Sequence, residues 1–260
     1  MTILDELAAY AKERTRLNKG KISLQSLRAE AESMPSSGFV FEKALEKDGM
    51  SFICECKKAS PSKGIIAEDF PYLEIAKEYE AAGADCISVL TEPKWFLGSD
   101  NYLKEIASNV SIPCLRKDFT VDEYMIYEAK VLGASAVLLI CSILSPQQIK
   151  EYLEVCDSLG LTAIVETHNE DEVYEAVAAR ARVIGVNNRN LKDFTVDTNN
   201  SSNLRKIVPS NILFIAESGI KTPDDVKALK SIGADAVLVG ETLMRAPDKK
   251  AMLNSLRGNL

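Results

Sequence analysis

Five lysines and glutamates in this chain close short apolar stripes, and their spacing gives each a direction. In FICECK, which starts at Phe52, Glu55 and Lys57 share alternate-residue parity with Ile53. Lys117 follows Pro113 and Leu115, Glu166 follows Ile164, and Glu217 follows Leu213 and Ile215. Asn187 closes the stripe of Val183 and Gly185 in the same way. Successive side chains of a strand point to opposite faces, so each polar group shares the face of the apolar residue two places before it. Any one of them reads equally well as an ordinary strand-to-loop transition. Three carboxylates and two lysines meeting in one mouth would instead perturb one another's ionisation, as proton-transfer chemistry requires.

Anion binding has its own signals. The turns AESGI and LVGETL place Gly219 and Gly240 where backbone N–H groups can approach a phosphate, and ASPSKG adds Ser60, Ser62 and Lys63 as donors. Glu241 opposes this unless its carboxylate turns away and only its N–H points inward. His168 is the single histidine and reads as a loop residue, which leaves no multi-histidine metal site and no ordinary Ser-His triad. Cys54 and Cys56 fall on the outer strand face, beneath helices. Trp95 and Phe96 could stack on an aromatic substrate or simply pack.

Eight aliphatic runs can position these groups, starting at Phe52, Cys86, Pro113, Ala136, Thr162, Val183, Ile212 and Ala236. Between them lie stretches with apolar residues at helical spacing, such as PYLEIAKEYEAAG from Pro71. Helix starts are marked by Thr120 with Glu123, Ser145 with Gln148 and Thr222 with Asp225, the last two followed by proline. AGADCISVL, LGASAVLLI and IGADAVLVG repeat Gly-Ala from Gly83, Gly133 and Gly233, intervals that fit about 25 residues per βα unit if they lead into the second, fourth and eighth strands. An open doubly wound sheet would carry a GxGxxG turn after its first strand, and none is present. The expected fold is α/β, a (β/α)8 TIM barrel over residues 47–260 whose reactive groups sit at the carboxyl ends of the strands. Residues 1–46 hold two amphipathic patterns and form a helical extension, either a plug beneath the barrel or a lid over its mouth.

At 260 residues the chain is too long for a disulfide scaffold, and 46% hydrophobic with 27% charged residues is globular composition. A net charge of −7 disfavours nonspecific nucleic-acid binding. The amino terminus has no apolar leader core, and no run reaches the roughly 18 apolar residues of a membrane helix. Six cysteines without a paired ligand pattern fit a reducing cytoplasm. The expected state is a monomer, with a dimer as the alternative.

CECKKASPSKG (54–64), LTEPKWFLGS (90–99), LRKDF (115–119), VETHNEDE (165–172), IGVNNRNL (184–191), IAESGI (215–220) and VLVGETLM (237–244) together resemble the indole-3-glycerol phosphate synthase family. The resemblance spans nearly the whole chain, including the helical extension. It implies a carboxy-lyase of tryptophan biosynthesis. The reaction closes 1-(o-carboxyphenylamino)-1-deoxyribulose 5-phosphate to indole-3-glycerol phosphate with loss of carbon dioxide and water. The substrate is a small anionic phosphorylated molecule, and neither metal nor organic cofactor is implied. By matching motifs, Lys117 would be the general acid for the ketone, with nearby cations or burial lowering its pKa, and Glu166 the general base in the dehydration. Lys57, held by Glu55, would contact carboxylate or phosphate and supply a second acid. Asn187, Arg189 and Glu217 would complete the polar wall, with Ser60, Ser218, Gly219, Gly240 and the N–H of Glu241 around substrate or phosphate. Phe96, Phe119, Leu138 and Leu191 would line the anthranilate pocket. Glu241, Thr167 and Asn188 depart from residues common in the family, and only the phosphate contacts are put in question. Two other readings stay open: a lyase in which Lys117 forms a Schiff base, and a barrel that binds a phosphorylated ligand without turning it over.

Overall fold

Every one of the eight apolar runs becomes a parallel strand of a closed barrel in the computed structural model, which describes residues 2–190 and 194–258. The strands are β1 (Ser51–Cys56), β2 (Cys86–Leu90), β3 (Cys114–Lys117), β4 (Ala136–Ile140), β5 (Thr162–Thr167), β6 (Val183–Asn187), β7 (Leu213–Glu217) and β8 (Ala236–Val239). Each pairs with its sequence neighbours, and β8 closes the ring by pairing Ala236 with Ser51 and Leu238 with Ile53 of β1. The chemistry-bearing residues fall at the carboxyl ends in register: Asn187 lies opposite Glu217, Glu166 opposite Gly185, and Lys117 opposite Leu90.

Strand parity divides the core into two layers. Ile53, Leu115, Ile164, Ile215 and Leu238 fill the barrel interior, whereas Cys54, Cys56, Val165 and Phe214 lie outside, beneath the helices. Fully burying one such aliphatic side chain contributes about 1.5–3 kcal/mol. The outer layer is covered by α4 (Tyr72–Ala81), α5 (Asp100–Asn109), α6 (Glu123–Val131), α7 (Pro146–Leu159), α8 (Glu170–Ala178), α9 (Asn199–Leu204), α10 (Pro223–Ser231), α11 (Glu241–Arg245) and α12 (Lys249–Arg257). Gly83, Gly133 and Gly233 end α4, α6 and α10 with φ of +85°, +89° and +81° and turn the chain into β2, β4 and β8, so the sequence echo is a repeated left-handed helix end.

Ser145 with Gln148 and Thr222 with Asp225 form reciprocal capping boxes, with Pro146 and Pro223 as the first helical residues. Thr120 does not cap a helix. It is buried in the loop, and the cap of α6 is Asp122, whose side chain accepts from the Tyr124 N–H. Asp122 directly precedes the helix, and an ionised carboxylate is a stronger acceptor there than a hydroxyl.

The extension folds as α1 (Ile3–Lys21), α2 (Leu24–Ser33) and α3 (Val40–Leu45), and its two ends meet opposite ends of the barrel. Glu42 donates its N–H to Thr162 Oγ1 at 3.3 Å and Ser51 Oγ donates to Ala44 O at 3.3 Å, so α3 abuts the first residues of β5 and β1 at the barrel's amino end. Leu27 and Ala31 of α2 join the outer layer, where α2 packs on α6. Ile3, Leu4 and Leu7 of α1 reach the mouth at the other end. Among the described residues no helix is long and apolar enough to cross a membrane.

Candidate active site

A cavity of about 720 Å³ opens at the carboxyl ends of the strands, roofed in part by Ile3, Leu4 and Leu7. On its floor the Lys117 ammonium donates to Glu166 Oε2 and to Glu217 Oε2, both at 2.9 Å. A second pair stands beside it, Lys57 Nζ lying 2.7 Å from Glu55 Oε1, and Ser88 Oγ donates to Glu55 Oε2 at 3.3 Å. The glycines of neighbouring strands make the space: a Cβ on Gly185 would lie 2.5 Å from Glu217 Oε1, and one on Gly240 would lie 2.5 Å from Glu55 Oε1. Asn187 is oriented at both ends of its amide. Its Oδ1 accepts from the Arg189 N–H at 3.0 Å and from Ser218 Oγ at 2.9 Å, which turns Nδ2 to donate to Glu166 Oε1 at 3.2 Å.

These contacts set the protonation pattern. Burial alone would lower the Lys117 pKa, but Glu166, Glu217 and Glu55 outweigh it and hold the ammonium well above the usual lysine range. The expectation of a lowered lysine is therefore overturned: the neighbours that face Nζ are anions. Glu166 is buried too, yet Lys117 and His168 keep it well below the ordinary carboxylate range. Glu217 goes the other way, pushed up to about 7 by burial, against the pull of Lys117 and with the added repulsion of Glu166. Two chemically identical carboxylates on one ammonium thus differ in proton affinity.

The walls divide by polarity. Phe96 and Phe119, with ring centroids 6.0 Å apart, and Leu138 line one side. Trp95 instead packs edge-on against Tyr10 of α1 at 5.5 Å, so of the two aromatic candidates only Phe96 faces the cavity. Leu191 lies outside the described residues. The opposite side carries Ser60, Ser218, Gly219, Gly240 and Glu241, with Lys63, Lys221 and Arg245 at its edge. Ser218 takes a left-handed φ of +68°, a strain of about 1–3 kcal/mol in a non-glycine residue, and is held there by the Asn188 Nδ2 that donates to its carbonyl at 3.1 Å. Glu241 resolves its conflict with an anion by turning to cations: Arg245 Nε donates to Oε1 at 3.0 Å, and Lys63 Nζ lies 3.8 Å from the same oxygen. Arg189 also lines the cavity, its Nη1 donating to the Phe194 carbonyl at 3.2 Å.

Two features escape the sequence reading. Arg14 of α1 makes a two-pronged contact with buried Asp118, Nη2 to Oδ1 at 2.6 Å and Nη1 to Oδ2 at 3.1 Å. It fastens the roof helix to the residue after Lys117, and no local pattern pairs positions 104 apart. His168 lies in the loop after β5, as expected, but its role there was not legible: its Nε2 lies 3.3 Å from Glu166 Oε1. Its two-residue spacing from Glu166 was the available signal.

The chain matches the family model for indole-3-glycerol phosphate synthase over residues 4–256. It is 56% identical over 258 residues to the indole-3-glycerol phosphate synthase of Ruminiclostridium cellulolyticum, covering 99% of each chain. To that of Leuconostoc mesenteroides subsp. mesenteroides it is 53% identical, covering 98% of this chain and 99% of the relative. Among solved structures it is similar to a 3-hexulose-6-phosphate synthase, with a TM-score of 0.64 and 17% identity over 80% of this chain and 98% of that one. It is also similar to phosphoribosylanthranilate isomerase from Thermotoga maritima, with a TM-score of 0.58 and 15% identity over 81% of this chain and 100% of that one. At such identities the structural likeness concerns the barrel fold alone.

Proposed function

The chain belongs to the indole-3-glycerol phosphate synthase family, and from that premise we propose how this cavity performs the family's decarboxylating, dehydrating ring closure. The protein is a carboxy-lyase of tryptophan biosynthesis acting on a phosphorylated substrate, 1-(o-carboxyphenylamino)-1-deoxyribulose 5-phosphate. The observation that carries the assignment of roles is the Lys117 ammonium held 2.9 Å from two carboxylates on the cavity floor.

In this reading the anthranilate ring lies between Phe96, Phe119 and Leu138, with Leu191 assigned to the same wall by its motif. The phosphate sits against the Ser218–Gly219 and Gly240–Glu241 backbones with Ser60 and the Lys57 ammonium. The ring carbon that bears the carboxylate bonds to the ketone carbon, and the carbonyl π electrons move to oxygen, which takes a proton from Lys117. Rupture of the bond to the carboxylate releases carbon dioxide and returns an electron pair to the ring. The hydroxyl then leaves as water with a proton from Lys57 or reprotonated Lys117. Glu166 removes a proton from the adjacent methylene, and the electrons of that bond complete the indole double bond. Asn187 orients Glu166, Glu55 holds Lys57, Arg189 faces the substrate's anionic groups, and Glu217 holds the Lys117 ammonium in place by accepting its hydrogen bond. The high proton affinity of Lys117 keeps it in the acid form. Donation becomes favourable only as negative charge develops on the ketone oxygen, which is differential stabilisation of the transition state.

The extension, residues 1–46, serves as lid through α1 and as plug through α3, while the barrel of residues 47–260 carries the chemistry. One chain supplies every group in this scheme, which favours a working monomer, and six free thiols suit a reducing cytoplasm. The test is incubation of the purified protein with the carboxyphenylamino substrate, reading carbon dioxide and indole fluorescence together. Both appear in the parent, and Lys117→Ala lowers indole formation by about 10²–10⁴. Near-parent turnover by the variant removes Lys117 from its role, and a borohydride-trapped adduct on Lys117 assigns it a Schiff base instead.

A further inference from the structure

Lys117 Nζ lies 2.9 Å from Glu166 and 2.9 Å from Glu217, so the lysine itself gives neither carboxylate a preference as base. What surrounds the two acids is unequal. Among the described residues Glu217 Oε1 is buried with no hydrogen-bond partner, whereas Glu166 Oε1 accepts from Asn187 Nδ2 at 3.2 Å and has His168 Nε2 at 3.3 Å, a charge contact in which the buried Nε2 makes no hydrogen bond.

His168 stands behind the cavity, outside its lining. The ring is fixed from the far side: Nδ1 lies 3.1 Å from Glu172 Oε2 and 3.3 Å from Ser142 Oγ, and Ser142 Oγ donates to Glu172 Oε1 at 2.8 Å. The backbone on either side is tied as well, the His168 N–H donating to Glu172 Oε2 at 2.7 Å and Asn200 Nδ2 donating to the His168 carbonyl at 3.2 Å. The titratable groups that face the ring are Glu166 on β5 and Glu172 on α8. The Cys141 thiol, in the 3-10 turn after β4, points to the Glu172 carbonyl at 3.7 Å. Lys117 and Glu217 reach the ring only through Glu166. Burial alone would lower the imidazole pKa, but the two carboxylates override it and push it up to about 10, so the ring is a cation at neutral pH.

We infer that His168 is the positioning residue that makes Glu166, and not Glu217, the ionised base, with Glu172 and Ser142 holding its ring in place. The inference rests on the reading of Glu166 as the base of the dehydration. A cation beside one carboxylate of a pair lowers that group's proton affinity and, through repulsion between the two, raises the other's.

The experiment follows both products of the full-length protein, because carbon dioxide leaves before the base acts. In His168→Gln, carbon dioxide release in a single turnover stays within about twofold of the parent while indole appearance slows at least about tenfold at pH 7. Without the cation the proton shared by the two acids falls to Glu166 in place of Glu217, so the acid limb of indole formation moves up by at least about one pH unit into the neutral range, and KM stays within about twofold. Glu172→Gln, which leaves the ring one carboxylate fewer, moves the acid limb in the same direction by less, and it provides the readout if His168→Gln does not fold. An unmoved acid limb in both variants, or equal slowing of carbon dioxide and indole in folded His168→Gln, overturns the inference and leaves the functional reading standing. A parent chain that yields neither product overturns the functional reading, and the inference with it.

Discussion

A buried ammonium between two buried carboxylates is stable only because the three share fewer charges than their number suggests. Glu217 illustrates the point, since its folded pKa of about 7 stands above the ordinary 4.5. A carboxylate raised on folding contributes stability that is present below pH 4.5 and is lost as pH rises towards 7. Glu217→Gln substitutes a group close to the protonated acid in size and charge. Its thermal stability is therefore expected to match the parent at pH 5 and to exceed it at pH 8, each pKa unit being worth about 1.4 kcal/mol. Melting curves at the two pH values check this, and a variant equally destabilised at both would show that Glu217 is ionised throughout. Parity placed Glu55, Lys57, Lys117, Glu166 and Glu217 on inward faces, because alternation along a strand is a local rule. The direction of the lysine shift was not legible: it depends on which neighbours surround Nζ, and those come from strands 49 and 100 residues away.

Among the elements, α1 has the least internal reason to be where it is. Its apolar side chains, Leu4, Leu7 and Ala11, are buried only because they join the barrel-interior cluster at the mouth. Arg14 adds a specific tie to Asp118, which Thr91 Oγ1 and the Phe119 N–H also approach, at 2.6 and 2.8 Å. Removing the guanidinium leaves a buried carboxylate with its hydroxyl and amide donors but without its direct ion-pair partner, so the roof loosens while the barrel persists. Arg14→Ala is expected to raise KM by about tenfold with a smaller change in kcat, since in the lid role proposed for α1 the helix encloses substrate without touching the reacting atoms. Steady-state kinetics check it, and an unchanged KM would mean that α1 is packing alone. Amphipathic spacing revealed α1 and α2 of the extension but neither the six-residue α3 nor the ends of the barrel they cover, because a periodic apolar stripe needs several turns to show and says that a face is buried, not what buries it. The eight strands and the three glycine turns were legible for the opposite reason, their signals being local and repeated.

Closure is the property that no single strand displays. β1 pairs with both β2 and β8, so opening either half of the ring breaks ladders on two sides, at β4–β5 and at β8–β1. The six thiols report on this: all are buried, and all lie between Cys54 and Cys156, in the first half of the ring and its helices. Burial holds the Cys54, Cys56, Cys86, Cys114, Cys141 and Cys156 thiols above the ordinary range, which suppresses the reactive thiolate. Five belong to the layer between strands and helices and Cys86 to the barrel interior, so a thiol reagent reaches them only when packing opens. If the ring unfolds as one unit, all six become reactive together, at the denaturant midpoint at which helical circular dichroism is lost. If the first half opened alone, the thiols would react at a lower denaturant concentration, while the Glu217 side of the ring remained folded. Quantifying reacted thiols across a urea series separates the two cases. The single midpoint is the expected result, because an isolated half-barrel would expose the interior faces of β4 and β1 to water without the strands that cover them.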